Sequence, residues 1–243
     1  MRALSQTDYL SLWESGQGLH PLDQGLLAVY TAFPNARSES IADWPLGKRN
    51  RALAELRCAC FGQWVRGWTA CEQCEDRLEF EVDGNALCES SVPDCDRRID
   101  IDGTVFRLPS SRDLARIAGE HDPSMAAMRL LQFCVVATPD GDDVGHSRAM
   151  LQWTEEELDG IGDCIAQADP LAEIMLHFDC PTCGHSFDQS LDLASFLWTE
   201  LEGRAKRLLL DVHILAHAYG WSELEILSLS STRRNFYLEM VRA

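Results

Sequence analysis

The chain has 243 residues, 46% of them hydrophobic and 25% charged, a balance that suits a globular protein of one well-buried domain or two small ones. Its formal net charge of −18 and pI of about 4.6 set up a field that repels a phosphate backbone and argue against a nucleic-acid partner. No apolar run approaches the roughly 18 residues of a membrane span, and the opening MRALSQTDYLSLWESG lacks the apolar core of a signal peptide. Cytoplasmic synthesis without a membrane partner is the expectation.

The first sixty residues read as helical. DYLSLWESG (8–16) is a short amphipathic piece, LDQGLLAVYTAF (22–33) a stronger one ended by Pro34, and PLGKRNRALAELRCACFG (45–62) carries apolar positions at Leu53, Leu56 and Cys60 with a stop at Gly62. A cysteine pair follows, and then the alternation Leu78, Phe80, Val82, whose period of two predicts a strand. Residues 84–106 look irregular and polar, and IDGTVFRLP (101–109) reads as a second strand. Helical patterns resume at 111–119, 123–137 and 154–168, and the turn-rich TPDGDDVGHS (138–147) reads as a flexible connection.

The C-terminal pattern is the most decisive. From Asp192 to Tyr219 the apolar residues Leu193, Phe196, Leu197, Leu201, Leu208, Leu209, Val212 and Leu215 keep helical spacing, with Glu200–Arg204 and Glu202–Lys206 as i,i+4 pairs on the polar side. Gly220 ends this helix. Ser222 and Glu225 form a capping box that opens SELEILSL, and Ser230 or Ser231 caps a last helix, TRRNFYLEMVRA. The expectation is a long helix followed by a helical hairpin.

Ten cysteines in a chain without an export signal point away from disulfides and toward metal or redox chemistry. Two segments, CEQCEDRLEFEVD (71–83) and CPTCGHSFDQSLD (180–192), share a plan: C-x-x-C, an apolar residue four places after the second cysteine, and a closing aspartate. A C-x-x-C turn leading into a strand is half of a zinc ribbon, and a tetrahedral ion needs two such halves. Cys71, Cys74, Cys180 and Cys183 together would hold one structural Zn²⁺ per chain and staple the two halves, with the residues between carried as an insertion. Gly184 suits the second knuckle, whereas Glu75 in the same place predicts a less regular first turn. A thioredoxin-like redox motif wants a helix after its cysteines, and here the downstream sequence is strand-like. A local site of Cys71 and Cys74 with Cys88 and Cys95 is an alternative. Cys58, Cys60, Cys134 and Cys164 fall in helical patterns and read as small buried hydrophobes.

Other chemistry is thin. His213 and His217 share one helix face, but the Glu of H-E-x-x-H is missing, and edge packing is the simpler reading. His185 follows Cys183 closely and is either a contributor to the metal site or an exposed side chain. There is no P-loop, no G-x-G-x-x-G and no G-x-S-x-G. Arg233 and Arg234 form a basic spot, and Trp221, Phe236 and Tyr237 either anchor a partner or pack internally.

The run LDLASFLWTELEGRAKRLLLDVHILAHAYGWSELEILSLSSTRRNFYLEMV (191–241) resembles the C-terminal part of a family of phage-type baseplate proteins found in gene clusters for contractile injection systems and tailed-phage-like particles. LHPLDQGLLAVYTAF, PLGKRNRALAELRCACFG and the first C-x-x-C ending in LEFEVD fit the same family, and the layout looks like the baseplate-hub assembly proteins of T-even-type phages. The first knuckle departs from the expected C-P-x-C-G. The resemblance implies a non-enzymatic role in building the baseplate of a contractile tail, with other baseplate, tail or hub proteins as partners. The competing readings are a zinc-ribbon regulator acting on nucleic acid or on another protein, and an enzyme using His213 and His217 or an opened cysteine site. The expected fold is α+β, predominantly α-helical, with a small zinc-ribbon-like β element at its centre. Its expected parts are an N-terminal helical region (1–70), a ribbon core with a helical insertion (71–188) and a C-terminal helical region (189–243).

Overall fold

The computed structural model describes residues 1–34, 40–137 and 152–242; the connection expected at 138–147 lies outside the described residues. The described residues are mostly helical, with three small antiparallel sheets and a long C-terminal helix, and the sequence predicts this mostly helical α+β class. Its contacts divide it into two compact units, Met1–Phe33 with Ala194–Ala243, and Pro34–Leu193. This differs from the three-part division read from the sequence. The terminal helical segments share one unit, while Pro34–Leu193 form the other, in which the strand before the first cysteine pairs with the strand after it.

In the first unit, helix α1 (Gln6–Gly16) starts on a capping box of Ser5 and Asp8, with the Arg2 guanidinium forked onto the same carboxylate at 2.6 and 2.8 Å. Helix α2 (Pro21–Ala32) opens on His20, whose Nδ1 accepts the Leu22 N–H.

The long helix α8 (Leu193–Tyr219) has 27 residues and buries Leu197, Leu201, Ala205, Leu208 and Leu215 along one stripe. It stops at Gly220, whose φ of 70° lies in the left-handed region that glycine enters without strain. The Ser222–Glu225 capping box then opens α9 (Glu223–Ser228), and the Ser230 hydroxyl accepts the Arg233 N–H at the start of α10 (Ser231–Arg242). Leu215, Ile226 and Leu238 join these three helices in one cluster. The expected basic spot divides: Arg233 is exposed, but Arg234 is buried and donates from Nε to Asp211 at 3.0 Å and from its guanidinium to Gln6.

The second unit begins with α3 (Leu46–Phe61), which buries Leu53 and Leu56 as expected. Its N-cap is Pro45, with no side-chain hydrogen bond to offer. Asp169, at the end of α7 (Glu155–Ala168), supplies the cap from 122 residues away by accepting the Gly47 N–H at 2.9 Å. A Cβ on Gly47 would come within 1.8 Å of that carboxylate. Strands β1 (Trp64–Ala70) and β2 (Arg77–Asp83) form one hairpin, and β6 (Met175–Asp179) and β7 (Ser186–Ser190) another.

Between the hairpins, residues 84–106 are more ordered than their polarity suggests. Gly84–Glu89 is helix α4, and Arg98–Ile101 (β3) turns back into Thr104–Arg107 (β4) through Asp102-Gly103, both at positive φ. The helix expected over 123–137 ends at Cys134. Its last three residues form β5 (Val135–Ala137) against β4, where β-branched side chains find a ladder partner. Phe106, Leu131, Cys134, Val135, Ile161 and Ile165 give this insertion its own core, drawn from β4, β5, α7 and α6 (Pro123–Cys134). Arg107 grips Asp113 in helix α5 (Ser111–Ile117) with two hydrogen bonds of 2.6 and 2.7 Å.

Candidate metal centre

Each cysteine pair sits at the tip of a hairpin, and the two tips have the same backbone plan. At the first, Glu75 N–H donates to the Cys71 carbonyl at 2.9 Å and Cys71 N–H to the Asp76 carbonyl at 2.8 Å. At the second, Gly184 N–H donates to the Cys180 carbonyl and Cys180 N–H to the His185 carbonyl, both at 2.9 Å. Glu75 and Gly184, the corresponding residues, have φ of 61° and 72°. The less regular first turn expected from Glu75 is therefore not what forms: the glutamate takes the glycine-like conformation that the hydrogen bonds of the knuckle demand.

The two tips meet. Cys71 Sγ lies 3.6 Å from Cys183 Sγ, Cys74 Sγ lies 3.6 Å from Cys180 Sγ, and all four sulfurs fall within 4.8 Å of one another. These separations are far beyond the ~2.05 Å of a disulfide. Cys71 and Cys180 are buried and Cys74 and Cys183 face outward, so the group has an inner and an outer pair, one of each from either hairpin. It is the one set of three or more potential ligands that converges among the described residues.

Packing explains why the tips are held together. Leu78, Phe178 and Phe187 surround the two buried cysteines, with Phe80 and Leu176 against them. Phe178 stacks on Phe187 at 5.4 Å between ring centroids and meets Phe80 edge-on at 5.8 Å, which joins the hairpins ring to ring. Polar ties flank this seam: Thr69 donates to Gln189, Thr182 donates to Asp76, and His185 stands 4.0 Å from Glu72.

The electrostatics favour one thiolate in the cluster before any cation enters. At Cys71 burial opposes the charge, but the Cys74 and Gln73 amides and the Cys183 and Cys180 thiols outweigh it and bring the thiol down to about 6. At Cys74 the Asp76 amide favours the thiolate, yet burial and the neighbouring sulfurs prevail and push it up to about 12. Cys183 moves upward too, its His185 amide outweighed by burial and by Cys71 and Cys180. The protons that Cys74 and Cys183 hold beside the Cys71 thiolate are ones that a divalent cation bound to the sulfurs would displace.

The other sequence candidates stay outside this cluster. Cys88 is half-buried on α4. Cys95 is exposed and accepts from Lys48 Nζ at 3.0 Å, so the local alternative with Cys71 and Cys74 does not assemble. His185 stacks on Phe187 at 5.7 Å and supports the knuckle through its backbone carbonyl. His213 and His217 lie exposed on α8 with no third ligand converging on them. Of the cysteines expected to be buried hydrophobes, only Cys134 is; Cys58 and Cys60 are half-buried and Cys164 is exposed. Trp221 stacks on Tyr219 at 4.7 Å between centroids and Tyr237 meets both rings edge-on at 4.8 and 5.7 Å, while Phe236 is 60% exposed.

The sequence reading has only the strand after each knuckle and misses β1 and β6. In β1 the side chains alternate correctly, but the apolar Trp64 and Trp68 are on the exposed face and Thr69 on the buried one, which hides the period of two. In β6, Leu176 and Phe178 turn inward while Met175 and His177 turn out, a signal available but short. No helix among the described residues is long and apolar enough to cross a membrane. Compared with protein-family models, curated proteins and solved structures, the chain matches none of them.

Proposed function

We propose that the four cysteines hold one structural zinc ion per chain and that the protein is a non-enzymatic component of the baseplate of a contractile injection system or phage-like tail. The observation that carries the zinc reading is the meeting of Cys71, Cys74, Cys180 and Cys183 from two hairpin tips. Zinc–sulfur bonds of about 2.3 Å place tetrahedral sulfurs about 3.8 Å apart, close to the 3.6 Å of the Cys71–Cys183 and Cys74–Cys180 pairs. Four thiolates fill a tetrahedral ion and leave no position for substrate or water, so the ion's work is to hold the hairpins.

The baseplate role is supported by the resemblance of residues 191–241 and of the first knuckle with the helices before it. A metal-tied, mostly helical protein that exposes Phe236, Met240 and Leu224 suits binding to other baseplate, tail or hub proteins. The test is deletion of the gene in a host that makes such particles, with complementation by the wild-type chain. Tails without complete baseplates in the deletion strain, restored on complementation, are the expected outcome. Complete, contractile particles in the deletion strain would overturn the reading.

A further inference from the structure

We propose that Cys58 and Cys88 form a second functional thiol site, a pair that a peroxide converts to a disulfide, closing the base of the first hairpin at the end away from its metal-binding tip. The geometry starts at Gly84, the first residue of α4, whose N–H donates to the Gln63 carbonyl at 2.8 Å just below the β1–β2 ladder. A Cβ added there would lie 2.5 Å from Cys58 Sγ, so the last turn of α3 lays its sulfur directly on α4. Cys88 is four residues on from Gly84, one turn along the same helix face. Both cysteines are half-buried, and neither belongs to the four-sulfur cluster.

The chemistry of the pair agrees with this placement. The Cys88 thiol is pushed up to about 12, by burial first and then by the charge of Cys58 and the hydrogen bond to it, with Glu55 adding to the effect and Arg51 opposing it. The Cys88 thiol therefore keeps its proton. The Cys58 sulfur, on giving up its proton, attacks hydrogen peroxide, breaks its O–O bond and becomes a sulfenic acid, and the departing hydroxide takes that proton and leaves as water. The Cys88 sulfur then attacks the Cys58 sulfur. The S–S bond forms, the S–O bond breaks, and the oxygen leaves with the Cys88 proton as a second water. Two thiols are oxidised and one peroxide is reduced. The closed loop, residues 58–88, contains the whole first hairpin, which would then be tied at both ends.

The test uses the full chain treated with hydrogen peroxide and digested without reductant by trypsin and a glutamate-specific protease, which cuts at Glu89 between Cys88 and Cys95. The expected product is a linked peptide pair carrying Cys58 and Cys88, lighter than its parts by two hydrogens and separated by dithiothreitol. It forms equally in Cys60→Ser and disappears in Cys58→Ser and in Cys88→Ser. Linkage of Cys88 to Cys60, or sulfinic acids at Cys58 and Cys88 without a link, would overturn the proposal. Because the readout is the link itself, it stands or falls independently of the metal content.

Discussion

At the scale of single residues, the knuckles illustrate how a turn's hydrogen bonds overrule residue preference. Gly184 enters the left-handed region freely, but Glu75 is held there at φ 61° by the Glu75 N–H to Cys71 carbonyl bond and its neighbours. Glu75→Gly should therefore stabilise the metal-loaded protein by about 0.5–1 kcal/mol, the relief of left-handed strain less the added chain entropy. A urea midpoint unchanged or lowered in that variant would mean the turn carries no strain. Asp113 gives the pH counterpart. Burial opposes its charge, but the Arg107 fork and the Ser110 hydroxyl and amide outweigh that and hold the carboxyl below its ordinary range. The folded state thus binds this proton more weakly than the unfolded one. The contribution is complete above about pH 4 and fades as pH falls through the lowered native value. Asp113→Asn should cost about 2 kcal/mol at neutral pH, with the gap from wild type narrowing in acid; a gap constant with pH would refute the assignment.

At the scale of elements, sequence patterns were legible where the helix made its own case. The stripe of α8, the stop at Gly220 and the Ser222–Glu225 capping box are all local signals, and all three form. What stayed hidden depends on partners distant in sequence. β5 continues a helical pattern until β4 offers a ladder, and α3 takes its cap from Asp169. Arg234 looks like surface charge beside Arg233, yet Asp211 draws it inside. The two arginines should separate in a thermodynamic measurement. Arg234→Ala leaves the Asp211 carboxylate without its cation and should cost about 3–5 kcal/mol, whereas Arg233→Ala at an exposed position should stay within about 0.5 kcal/mol. Equal effects in chemical unfolding would contradict the buried pair.

For the whole molecule, the candidate site was more legible than the fold around it. The repeated C-x-x-C spacing named all four converging cysteines, because thiol chemistry leaves its mark in residue identity, while the strands leading into each knuckle are marked only by faces of a sheet not yet formed. Nearly all of the net negative charge lies within residues 34–193, the unit that holds the four converging cysteines, so the proposed metal staple would work against self-repulsion. Tethering residues about 100 apart removes about 4–5 kcal/mol of unfolded-chain freedom by the loop-closure argument, a large part of the 5–15 kcal/mol by which domains are usually stable. One ion could thus decide whether this unit folds.

The most direct test of that claim is elemental analysis of the purified chain, wild type beside Cys71→Ser/Cys74→Ser and Cys180→Ser/Cys183→Ser. The account predicts one zinc per wild-type chain, lost from both double variants, because each hairpin supplies half of a single site. Two ions per chain with one surviving in either variant, or no metal in the wild type, would contradict it.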